Sequence, residues 1–89
     1  MERKVLVIDQ KDNVAVALED IPAGAEILLP DGRRFNTVDA IPESHKVSLA
    51  DVSAGDTVVK YGEAIGRAAG DIKMGEWVHT HNIKPTEGT

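Results

Sequence analysis

Val16-Ala17-Leu18-Glu19-Asp20-Ile21-Pro22-Ala23-Gly24-Ala25-Glu26-Ile27 recurs without gaps as Val47-Ser48-Leu49-Ala50-Asp51-Val52-Ser53-Ala54-Gly55-Asp56-Thr57-Val58. A shorter third copy is Asp71-Ile72-Lys73-Met74-Gly75-Glu76-Trp77-Val78. The shared kernel is Asp, a β-branched residue, two variable residues, Gly, two variable residues and a β-branched residue. Asp accepts backbone N–H bonds in tight turns and Gly reverses the chain, so each copy reads as strand, turn, strand. The copies are too short and too few for a stacked solenoid. A small all-β domain with internal pseudo-symmetry is the fold they predict.

The flanking segments agree. Lys4 to Ile8 and His45 to Leu49 are short runs with strand character. Asn13 to Leu18 alternates Val14, Val16 and Leu18 against Ala15 and Ala17, which predicts a strand covered on both faces, tightly on the alanine side. Pro30-Asp31-Gly32-Arg33 between apolar runs predicts a hairpin, with Arg34 to Val38 pairing back on Glu26 to Leu29. No segment carries a sustained 3.6-residue apolar stripe, so little helix is expected. The 89 residues make one domain, with the polar end, residues 84–89, expected to fray.

Composition narrows the function. A net charge of −5 argues against a nucleic-acid partner, which needs a basic face, and a single Phe, Tyr and Trp supply no base-stacking surface. The absence of cysteine rules out disulfides and thiolate metal sites. The amino-terminal apolar run, Val5 to Ile8, is too short for a signal peptide or a membrane span, so a cytoplasmic location away from the membrane is expected.

Chemistry concentrates in Val58 to Asn82, which holds two of the three histidines and the only Trp and Tyr. Read as a strand, Trp77 to Asn82 places Trp77, His79 and His81 on one face. Two imidazoles about 6.6 Å apart, at about 3.3 Å per residue, can then converge on one ligand or metal, with His45 as a third candidate. The plainer alternative is a polar strand surface. Lys60-Tyr61-Gly62 sets a cation and a phenol beside a flexible backbone. That suits either a carboxylate ligand or a tyrosine packed at the mouth of the core beside an exposed lysine. Asn82 can bond a ligand hydroxyl or simply end the strand. Asp20, Asp51 and Asp71 recur at equivalent turns and read as turn formers, not catalytic carboxylates.

Asp12-Asn13-Val14-Ala15-Val16-Ala17-Leu18, His45-Lys46-Val47, Lys60-Tyr61-Gly62-x-x-Ile65-Gly66 and Gly75-Glu76-Trp77-Val78-His79-Thr80-His81-Asn82 together resemble the amino-terminal SAF domain of altronate and galactarate dehydratases. The resemblance runs from about Val5 to Asn82 and implies a β-clip fold related in shape to type III antifreeze protein. It departs at Ser44, where the family usually has Gly, and at Asp9-Gln10, where some members have a histidine.

In that family the domain is fused to a large catalytic portion or stands as a small subunit, as in sulfolactate sulfo-lyase. The resemblance therefore implies a small lyase subunit that adds residues to a composite site on a large dehydratase subunit. The substrate would be an acidic, sugar-like hydroxycarboxylate. The cofactor would be a divalent metal, Fe2+ or Mn2+. His45, His79 and His81 would be catalytic, with His79 and His81 also toward metal. Lys60, Tyr61 and Asn82 would face substrate. Sulfite replaces water as leaving group in the sulfo-lyase version. A non-catalytic lid or a carbohydrate-binding SAF domain are the other readings. An exposed Trp77 or an open edge strand would favour a homo-oligomer.

Overall fold

The computed structural model describes residues 4–7, 9, 11–29, 32–79 and 81–84, whose paired strands are all antiparallel and contain no helix. Among the described residues the strands are β1 (Val5–Leu6), β2 (Val14–Ala17), β3 (Glu26–Leu28), β4 (Arg34–Asn36), β5 (Lys46–Ser48), β6 (Thr57–Lys60), β7 (Glu63–Ala68), β8 (Trp77–Val78) and β9 (Ile83–Lys84). They form a central sheet in the order β1-β2-β5-β8, a β3-β4 hairpin, and a three-stranded sheet in the order β6-β7-β9. This is the small all-β architecture expected from the turns, and it is consistent with the β-clip that the family resemblance implies. Of the end expected to fray, residues 84–89, Lys84 lies in β9 and the remainder falls outside the described residues.

The central sheet separates two cores. Alternation along β2 sends Ala15 and Ala17 into a cluster with Val5, Ile21, Ile27, Phe35, Ile41, Val47 and Leu49. It sends Val14 the other way, into a cluster with Val52, Val58, Ala68, Ile72 and Val78. Both faces of β2 are thus covered, and the alanines let the first cluster approach closely. Leu18, read as part of this strand, lies just past its end and is 42% exposed. The Pro30-Asp31 turn falls outside the described residues, but the hairpin around it forms, with Ile27 opposite Phe35 and Leu28 opposite Arg34.

The repeated turns pair with one another. Ile21 bridges Ile41 and Val52 bridges Ile72. The carboxylates act across each pair, not within their own turns. Glu43 N–H donates to Asp20 Oδ1 at 2.8 Å, Met74 N–H to Asp51 Oδ1 at 2.9 Å, and Ala54 N–H to Asp71 Oδ1 at 2.9 Å. Ala40-Ile41-Pro42-Glu43-Ser44 is therefore a fourth copy. It escapes the sequence comparison because Ala40 stands where the others have Asp and Ser44 where they have Gly. Ser44 has φ of 71°, matching 81°, 86° and 90° at Gly24, Gly55 and Gly75, so a side chain occupies a backbone conformation that favours glycine.

Asn13 ties β2 to the β6-β7 hairpin. Its Oδ1 accepts Val59 N–H at 2.7 Å and its Nδ2 donates to Thr57 O at 2.9 Å. The hairpin closes on Tyr61-Gly62, with φ of 56° and 76°, the pair of positive angles that a two-residue type I′ turn needs. Gly62 N–H donates to the buried Asp12 Oδ1 at 2.7 Å, which pins the tip. Lower in the hairpin Val58 faces Gly66 and Val59 faces Ala64, leaving Ile65 as the extra residue of a bulge.

Candidate functional site

His45 enters the site from the end of the fourth turn, where its N–H donates to Pro42 O at 3.0 Å and its C=O accepts Ala17 N–H at 2.8 Å. It directly precedes β5. Trp77 lies on β8 opposite Val47, and Lys46 lies opposite Val78. The next pair along the two strands is His45 and His79, whose ring centres are 4.7 Å apart.

The expected strand from Trp77 to Asn82 stops at Val78. Asn82 is the reason. Its Oδ1 accepts His79 N–H at 2.8 Å, its Nδ2 donates to Trp77 O at 2.8 Å, and its own N–H donates to His79 O at 3.0 Å. Both ends of this amide hold a turn, and the turn presents His79 and His81 where a strand was expected to.

The imidazoles nevertheless come together, on the indole of Trp77. His79 stacks on it at 5.5 Å with the planes 8° apart, and His81 sits 5.0 Å away, tilted. His45 is 5.6 Å from the same ring. Trp77 Nε1–H donates to His45 Nδ1 at 3.1 Å. The indole also packs against the first core and is only partly exposed. Its backbone N–H, on the outer side of β8, donates to Asp39 Oδ2 at 3.1 Å. An exposed Trp77 was one basis for expecting self-association, and the indole is instead only partly exposed.

Lys60 and Tyr61 form a separate pair at the hairpin tip, the Lys60 ammonium 4.7 Å from the centre of the tyrosine ring, which is 47% exposed. Lys46 links this pair to the rings. Its pKa is lowered, first by partial burial and then by repulsion from Lys60. His79 is lowered as well, by desolvation first and then by His45, Lys46 and His81. Lys46 is the member of this region that the sequence reading passed over. Its signals were its place beside His45 on a strand and within the motif His45-Lys46-Val47.

Among the described residues no three of His, Asp and Glu are grouped to hold a metal ion. His45 Nδ1 is engaged by the indole and the other two rings pack on it. The pair His79 and His81 expected to face a metal therefore lacks further ligands here, and this chain's own cluster does not fit a metal centre by itself.

Residues 3–86 match the altronate/galactarate dehydratase SAF domain. The chain belongs to that SAF-domain family. It is 40% identical over 82 residues to the altronate dehydratase of Bacillus subtilis and 41% identical over 73 residues to that of Escherichia coli. These matches take in 92% and 82% of the chain but only 16% and 14% of those proteins, so the SAF domain spans a small part of each. It is also 38% identical over 85 residues to the (2R)-sulfolactate sulfo-lyase subunit alpha of Chromohalobacter salexigens, covering 89% of the chain and 90% of that subunit. In this SAF domain no helix among the described residues is long and apolar enough to cross a membrane.

Proposed function

We propose that the chain is the small, SAF-domain part of a sugar-acid dehydratase, contributing His45, His79 and His81 to an active site completed by a large catalytic subunit. The observation that carries this reading is the gathering of three imidazoles around Trp77 in a chain of the altronate/galactarate dehydratase SAF family. The reaction is elimination from a polyhydroxy carboxylate. A base removes the proton next to the carboxylate, and an acid protonates the hydroxyl that leaves as water. Imidazoles serve both steps near neutral pH. Lys60, with Tyr61 beside it and Lys46 behind, supplies positive charge for the substrate carboxylate, in a protein whose net charge is −5. Asn82 takes part by holding the turn that carries His79 and His81. Fe2+ or Mn2+ belongs to this reading as a group held chiefly by the large subunit.

The similarity over 90% of a sulfo-lyase subunit alpha favours a second reading, in which sulfite is the leaving group from an acidic hydroxy-sulfonate. One experiment separates the two and tests the role of the rings. The tagged chain is purified with its partner from its own cells and assayed with Fe2+ or Mn2+ on altronate, galactarate and sulfolactate. His45→Ala, His79→Ala and His81→Ala should each lower turnover by about 10²-fold or more. Full turnover in all three variants would leave this domain as a non-catalytic lid or assembly module. A chain recovered alone and inert would favour a free-standing carbohydrate-binding domain.

A further inference from the structure

We infer that Trp77 is a positioning residue that fixes neutral His45 in its Nε2–H tautomer, so that His45 meets the substrate as a hydrogen-bond donor and not as a base or a metal ligand. The inference rests on the composite-site reading, but its first test does not. An indole nitrogen can only donate, so the 3.1 Å contact with His45 Nδ1 requires a lone pair on that nitrogen. A neutral imidazole carries one proton, which must then lie on Nε2. The free end of His45 is thus an N–H that suits a hydroxyl or carboxylate oxygen, and it has no lone pair for a metal.

The indole is well held for this task. Trp77 pairs with Val47 in the sheet, donates its N–H to Asp39 and accepts from the Asn82 amide through its C=O. Its ring packs on the first core and lies flat against His79. Rotation of the indole away from His45 would break the stack and the core contact together. The fixed indole thereby imposes one tautomer on a ring that enters from a turn.

Long-range 1H–15N correlation spectra of the full 15N-labelled chain at neutral pH read the tautomer directly. His45 should show a protonated Nε2 and a bare Nδ1. Trp77→Phe should release a bias of about fivefold, the effect of one ordinary hydrogen bond, and give a mixture. His45→Ala should move the Trp77 indole proton upfield and speed its exchange, a readout that needs no tryptophan variant to fold. A proton on His45 Nδ1 in the wild type, or an indole proton indifferent to His45→Ala, would overturn the inference. In the assembled enzyme Trp77→Phe should lower kcat while leaving KM within about twofold. An unchanged kcat would overturn the positioning role even with the tautomer as described, whereas the composite-site reading stands or falls on the histidine variants.

Discussion

The paired turns make a quantitative prediction because three carboxylate caps are present and the fourth position carries alanine. Asp51 and Asp71 each accept one backbone N–H of the opposite turn at 2.9 Å, and Asp20 does so at 2.8 Å. By the same pseudo-symmetry Ala40 faces the turn that begins at Ile21, where an Asp would meet Ala23 N–H. A hydrogen bond to an exposed charged acceptor contributes about 1 kcal/mol. Asp51→Ala and Asp71→Ala should therefore each cost about 1 kcal/mol, or about 4–8 °C in Tm for a chain of this size. Ala40→Asp should gain less, about 0.5 kcal/mol or 2–4 °C, because it adds a charge beside Asp39 and makes an already acidic chain more negative. Thermal melts followed by circular dichroism at pH 7 and moderate salt, with urea titrations for free energies, measure both directions. A lower Tm for Ala40→Asp, or an unchanged Tm for both Asp→Ala variants, would refute the idea that the turns cap one another.

Gly66→Ala should be damaging, because its Cβ would run into Lys84 O and Ile83 Cγ2, where β9 pairs with the bulged β7. A loss of about 2–3 kcal/mol is expected, with faster amide exchange in β9, and a wild-type melt would contradict the close approach. Ser44→Gly relieves a left-handed conformation worth about 1–2 kcal/mol but adds unfolded-state freedom worth up to about 1, so Tm should rise by about 2–4 °C. The pH dependence has a definite sign. His79 binds a proton less readily folded than unfolded, so the unfolded chain takes up more protons as pH falls through the usual histidine value near 6.5 toward the lowered one. Stability should decline from pH 7.5 to 5.5, and less so in His79→Gln; equal slopes in the two proteins would refute the assignment.

Much of this protein was legible in one dimension because its signals are local. Asp and Gly at fixed offsets in three copies are turn chemistry, and turn chemistry at that spacing leaves room only for short strands. Pro-Asp-Gly announced the β3-β4 hairpin, and the alternation of Val14 to Leu18 announced a strand with two covered faces. The family motifs marked His45, His79 and His81 before any geometry was known. What the sequence did not contain was the pairing between distant segments. The fourth turn lost its Asp and Gly and became recognisable only when Ile41 was found bridged to Ile21. The turn at His79 to Asn82 replaced a predicted strand because one amide side chain bonds two backbone groups, Trp77 O and His79 N–H, a competition that strand propensity does not register. The gathering of His45 with Trp77, 32 positions away, follows from β5 lying beside β8. Residue types and their periods are properties of the chain, so they can be read from it; which nitrogen of His45 holds the proton depends on which strands are neighbours, and only the folded molecule determines that.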